Sequence, residues 1–311
     1  MKTAELLTEW LTTYERERVK PRTYARYEGL INLHIAPALG EVEINELCRR
    51  QIQEFLTKKK KDGNIKQNGE SLSATSTNLM LTVLNLAFEY ACDMEIIETN
   101  PCTRLKRAPE ETRAIDAFTK EEQRKLEKVI EESNDPRLFG ILLCLYTGLR
   151  IGELLGLEWK DVDLERGIIH IDKTVYREKD NTGTWQLIVD SPKTKSSARD
   201  IPLPKYIVKL LKIQSKLSKS VYVVENKKGE RMSIRSYQYM FERLTEKAGV
   251  RKLNFHALRH TFATRAFESG IPPKVVQQIL GHSSLEMTMD LYTHVTEDVQ
   301  SREIQKLAMF F

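Results

Sequence analysis

The most apolar stretch of the chain, Leu138 to Leu157, is interrupted by Thr147-Gly148 and then by a permanent cation, Arg150. That combination limits what the chain can fold into. A membrane span needs about 18–20 apolar residues, and no run in the sequence approaches that. The stretch reads instead as core helix broken by a turn. An arginine at such a place must be paired or must face a cleft, because an unpaired buried charge costs several kcal/mol. The 311 residues are 41% hydrophobic and 30% charged, a globular rather than a disordered profile. They suffice for two domains, each with its own core. The N-terminus, MKTAELLTEWLTTYERER, carries acids and polar residues where a signal peptide has an unbroken apolar run. The expectation is an intracellular, cytoplasmic protein with no membrane partner.

Other features exclude further classes. Cys48, Cys92, Cys102 and Cys144 lie far apart with no CxxC pair, so they read as small, mostly buried apolar residues and not as a disulfide framework or zinc site. The net charge of +5 permits an anionic partner without demanding one. The chain through Glu110 is electrically neutral, so the whole excess lies beyond it. Lys58 to Lys61 form a basic block that reads either as a solvated helix end or as a phosphate-contacting patch.

The expected fold class is mainly α with a small antiparallel three-stranded sheet. A helical domain spans residues 1–108, a linker 109–117, a mixed α/β domain 118–300 and a tail 301–311. In the first domain, Leu6, Leu7, Trp10, Leu11 and Tyr14 are spaced as one helix face between Ala4 and Arg18. Pro21 opens a second helix, which Pro37 and Gly40 are expected to end. A third runs from about Asn45 to Lys60, and a fourth starts near Ser73. Cys102 to Ala117 has the dense charge and few large apolar residues of a linker. Thr119 with Glu122 fits a capping box for the next helix. Gly167–Val175, Thr184–Val189 and Ala198–Leu203 read as three short strands, the last two joined by a turn from Asp190 to Ser196.

Four segments carry unusual polar groups. Arg150 has Glu153 one turn on, which makes either a structural ion pair or an oriented anion clamp. His256 and Arg259 share a helix face, and together they suit a phosphate or carboxylate. His256 and His260 have metal-ligand spacing, but HALRH lacks the glutamate of HExxH and no third ligand is evident, so no metal and no cofactor is expected. His282 follows a glycine turn before two serines. Tyr292 alone would be an ordinary half-buried tyrosine.

The order Arg150…Lys193…His256-x-x-Arg259…His282…Tyr292 is what makes these residues specific. The strings TGLRIGELLGLEWKDVD, SPKTKSSARDIPL, HALRHTFATRAFESGI, ILGHSS and LYTHV resemble the tyrosine recombinase (phage integrase) family. The likeness extends over nearly the whole chain, because the helical first domain is similar to the family's core-binding domain. Many integrases of phages and conjugative transposons carry an arm-binding domain ahead of this region, and none is evident here. The PKTKSSARDIPL and MTMDLYTH strings lean toward the conjugative-transposon class.

The resemblance implies a site-specific DNA recombinase of a mobile element, working without metal or ATP. Tyr292 would attack a DNA phosphodiester to give a 3′-phosphotyrosine and a free 5′-hydroxyl. Arg150 and Arg259 would clamp the non-bridging oxygens. His256 would take the tyrosine proton or hydrogen-bond the phosphate, and His282 would do the latter. Lys193, preferred over Lys195 on the same hairpin turn, would protonate the leaving 5′-oxygen. The implied partner is double-stranded DNA clamped between the domains, with a homo-tetramer on synapsed DNA and a monomer or weak oligomer when free. Ile304, Leu307, Ala308 and Phe311 at helical spacing suggest that the tail docks on a neighbouring protomer, or else on its own domain. Nicking chemistry of a topoisomerase or resolvase, a catalytically silent DNA-binding protein, and a metal-dependent nuclease are the competing readings.

Overall fold

A computed structural model describes residues 1–64, 70–109, 116–179, 184–190 and 198–292. The chain divides into two compact units, Met1–Arg113 and Ala114–Phe311.

The first unit is helical. Helix α1 (Thr3–Glu9) runs on into a π-helical segment, Trp10–Glu15. Helix α2 (Pro21–Leu30) continues likewise through a π-helical segment, Ile31–Ile35, into α3 (Ala36–Leu39). Pro37 therefore does not end this helical run, contrary to expectation, but Gly40 does, as its C-cap. Pro37 is the second residue of α3. Helix α4 (Arg49–Asp62) and α5 (Ala74–Asp93) complete the bundle, α5 being capped by the Ser73 hydroxyl. Trp10, Ile35, Ile52, Met80, Val83, Leu84 and Phe88 fill the interior and are fully buried. Of the face expected between Ala4 and Arg18, Leu6, Leu7, Trp10 and Leu11 are buried and Tyr14 is half-buried.

The second unit opens on α6 (Lys120–Glu131). The Thr119 hydroxyl accepts from the Glu122 N–H at 3.1 Å, and the Glu122 carboxylate accepts from the Thr119 N–H at 2.8 Å. The apolar stretch folds as α7 (Phe139–Thr147) and α8 (Ile151–Gly156), broken at Gly148. Among the described residues five strands follow: β1 (Val162–Asp163), β2 (Ile168–Ile171), β3 (Thr174–Lys179), β4 (Trp185–Asp190) and β5 (Arg199–Pro202). Helices α9 (Lys205–Leu217), α10 (Ile234–Lys247), α11 (Ala257–Glu268), α12 (Pro273–Leu280) and α13 (Glu286–Tyr292) close the unit.

The strands fall into two antiparallel sheets among the described residues, a three-stranded one in the order β1-β2-β5 and the hairpin β3-β4. The expected single strand Gly167–Val175 is divided at Asp172-Lys173. There the Lys173 ammonium turns to the Asp161 carboxylate at 2.6 Å. The strand expected at 184–189 pairs with β3, from Thr174 opposite Asp190 to Lys179 opposite Trp185. The strand at 198–203 pairs with β2 instead. The expected hairpin between these last two is thus replaced by a passage from one sheet to the other. Among the described residues no helix is long and apolar enough to cross a membrane.

Candidate active site

The site is built where α7 gives way to α8. Gly148 has φ 67°, a left-handed conformation that L side chains resist. A Cβ there would also lie 2.6 Å from Leu280 Cδ2 and 2.7 Å from Phe262 Cδ1. The turn frees Arg150 to stand at the N-cap of α8 with extended backbone. Glu153 closes this end of the helix. Its carboxylate accepts from the Arg150 backbone N–H at 2.9 Å and from the Arg150 guanidinium at 2.8 Å.

Arg259 lies on α11 and is 1% exposed. One guanidinium nitrogen donates to the Gly148 carbonyl at 2.8 Å, another to the Leu280 carbonyl at 2.6 Å. Burial, followed by the charge of Arg150, pulls its pKa well below the ordinary arginine value. A guanidinium nevertheless stays protonated in the neutral range. Arg150 reaches toward the Leu280 and Gly281 carbonyls at 3.4 Å each. Arg199, on β5, donates to the Ile279 carbonyl and forks onto Glu153 at 3.0 and 2.9 Å.

The last carbonyls of a helix lack intrahelical partners and carry partial negative charge. At the end of α12 three guanidinium groups, of Arg150, Arg199 and Arg259, answer them. Glu153 supplies a full negative charge between two of these cations. Burial opposes its ionisation, but hydrogen bonds from Arg199 and the charges of Arg199 and Arg150 prevail and push its pKa down to about 2. Three cations against this carboxylate leave the cluster with excess positive charge.

Two imidazoles flank the arginines. His256 stands immediately before α11, three residues before Arg259, and its ring meets His260 edge-on with the centroids 4.7 Å apart. The residue keeps an exposed edge. Burial of the ring, then the influence of His260, Arg259 and Arg150, pushes its pKa down to about 4. His282 follows the αL cap Gly281 and is 9% exposed. Its Nδ1 lies 2.9 Å from the hydroxyl of Thr288 on α13. Burial and the charges of Arg259 and Arg150 push its pKa down to about 3. Both rings are therefore neutral at physiological pH. The buried Nδ1 of His260 has no hydrogen-bond partner among the described residues.

Arg150, His256, Arg259 and His282 are thus brought around one helix end. Tyr292 is the last residue of α13, which packs on α11 and α12 with Leu291 buried. Lys193, Lys195 and the tail 301–311 lie outside the described residues. Sequence reasoning missed Arg199 and Thr288. For Arg199 a signal existed: it precedes Ile201 by two on a strand, which puts it on the same face as a residue that is 1% exposed. No comparable signal marks Thr288.

Residues 116–298 match the model of the phage integrase family, and residues 4–60 match that of the phage integrase N-terminal SAM-like domain. A "Tyrosine recombinase XerC-like" protein of Caldanaerobacter subterraneus subsp. tengcongensis is 32% identical, over 99% of this chain and 83% of its own. The ICEBs1 integrase of Bacillus subtilis is 28% identical, over 93% of this chain and 78% of its own. Among solved structures, a Tn1549 transposon integrase in complex with transposon right end DNA superposes with a TM-score of 0.82 at 27% identity, covering 99% of this chain and 100% of that one. With a family match over more than half of its length and a relative of such identity along nearly all of it, the chain belongs to the phage integrase family, the tyrosine-type site-specific DNA recombinases.

Proposed function

We propose that this recombinase cuts and rejoins double-stranded DNA through Tyr292, as the integrase of a mobile element. The observation that carries the reading is the cationic cluster at the end of α12, with two neutral imidazoles beside it and Tyr292 ending a helix packed on α11 and α12.

Phosphodiester cleavage requires a nucleophile, stabilisation of charge on the phosphoryl oxygens and a proton for the leaving oxygen. The Tyr292 phenol attacks phosphorus, forming a 3′-phosphotyrosine and displacing the 5′-oxygen. Arg150 and Arg259 bind the non-bridging oxygens, where negative charge grows. His256, neutral in the free protein, accepts the phenolic proton or bonds the phosphate. His282 offers the phosphate a neutral donor in the tautomer that carries its proton on Nε2, in which Nδ1 accepts from the Thr288 hydroxyl 2.9 Å away. Lys193 gives the 5′-oxygen its proton, with Lys195 as the alternative. The phosphotyrosine retains the energy of the broken bond, so a second 5′-hydroxyl religates without ATP.

Four strands are cut when two duplexes recombine, which calls for four protomers on synapsed DNA and a weakly associated protein when free. The tail at 301–311 docks between protomers, and residues 1–108 hold the core site. The protein works in the bacterial cytoplasm, at the nucleoid. Integrase is the name of the Bacillus subtilis relative, and the Tn1549 protein was solved with its transposon end.

A duplex nicked just 3′ of the scissile phosphate, from which the short fragment bearing the new 5′-hydroxyl escapes, traps the intermediate. The unsubstituted protein is expected to give a covalent adduct in EDTA, and Tyr292→Phe none. Arg150→Ala and Arg259→Ala are expected to slow adduct formation about 10²–10³-fold each. Absence of adduct with Tyr292 in place would favour a silent DNA-binding protein, and loss of cleavage in EDTA a metal-dependent nuclease.

A further inference from the structure

Arg199 is the one guanidinium of the cluster that the roles above leave unassigned. Its side chain is 6% exposed, and that of Glu153 5%. It touches three elements at once. Rooted on β5, it forks onto both oxygens of Glu153 on α8 and donates to the Ile279 carbonyl in the last turn of α12. Glu153 in turn holds Arg150 by backbone and side chain. The neighbouring carbonyls Leu280 and Gly281 are the ones that Arg259 and Arg150 use. The packing is close: a Cβ on Gly281 would lie 3.1 Å from both the Cδ and a terminal nitrogen of Arg199.

We propose that Arg199 is a positioning residue for strand transfer, holding Glu153, and through it the Arg150 guanidinium, in register with the end of α12. The proposal rests on the reading of Arg150 and Arg259 as the phosphate clamp. Arg199 acts from behind that clamp. With its fork in place, the Glu153 carboxylate is fixed from one side and can orient Arg150 from the other. A planar fork matches two carboxylate oxygens at once, whereas a lysine ammonium is a point charge that cannot.

The test compares R199K, E153Q and the double variant R199K/E153Q in single-turnover adduct formation on the nicked duplex at saturating DNA. Melting temperature and DNA affinity are measured alongside. R199K is expected to bind DNA and melt nearly as the unsubstituted protein does, yet to form adduct about tenfold more slowly or worse. If Arg199 acts through Glu153, the double variant loses no more than E153Q alone. The acid limb of the rate profile of R199K moves to higher pH, because the Glu153 carboxyl is less well held in its ionised form. An unchanged rate in R199K, or losses that multiply in the double variant, overturns the proposal. Should R199K fold poorly, R199Q takes its place in the same comparison: a rate for R199Q/E153Q equal to that of E153Q supports the positioning role, and a further loss overturns it. Adduct surviving in Y292F would instead sink the assignment of the nucleophile, so the two failures are told apart.

Discussion

Glu153 sets the charge balance of the cationic centre. Its folded pKa, about 2, lies below the ordinary 4.5. Its ionised form therefore contributes stability that is complete above about pH 4.5 and is lost as pH falls through about 2. Glu153→Gln is expected to flatten the loss of stability between those limits, as read by urea unfolding at successive pH values; an unaltered acid profile would mean that the ion pairs contribute nothing. His282 behaves differently. Held near 3, it is expected to stay neutral at pH 5 in ¹⁵N spectra of the free protein, and an imidazolium signal there would contradict the burial and arginine field that surround it. Arg150, His256, Arg259 and His282 stood out in the sequence because charged and titratable groups interrupt apolar helices. Arg199 did not, because its meaning depends on meeting Glu153 across a separation that no local pattern encodes.

Helix α12 matters chiefly through its end. Gly281, at φ 65°, turns the chain there, and Gly148, at φ 67°, turns it between α7 and α8. An alanine at either position takes on the left-handed penalty of about 1–2 kcal/mol. Gly148→Ala also meets Leu280 and Phe262, so it is expected to lower stability in urea by more than that penalty alone, and a loss below about 1 kcal/mol would contradict the packing. Local signals served well where the determinant is local. The Thr119–Glu122 box, the helix start near Ser73 and the Thr147-Gly148 break all appear where the residues indicate. They served poorly where pairing decides. The sequence marks β-branched runs, but β4 joins β3 and β5 joins β2 through long-range choices of partner. Pro37 misled because the backbone stays helical through it, from the π-helical segment into α3.

Among the described residues the apolar side chains form three clusters: one in the first unit centred on Trp10 and Phe88, and two in the second, one around Phe118, Tyr237 and Phe241 and a smaller one that includes Phe267, Val276, Leu280 and Leu291. The residues proposed for chemistry all lie in the second unit, beyond Glu110, where the excess positive charge of the sequence also lies. Binding of duplex DNA through six or more phosphate contacts is expected to weaken about 10³-fold or more between about 50 and 200 mM salt, as read by titration at several salt concentrations; a flat dependence would argue against a phosphate-dominated interface. The decisive measurement is tandem mass spectrometry of the protein trapped on a nicked element-end duplex and digested with protease and nuclease. A nucleotide carried on the peptide containing Tyr292, and on that phenolic oxygen, is the expected result. A nucleotide carried on any other residue, or a full yield of adduct from Tyr292→Phe, would contradict it.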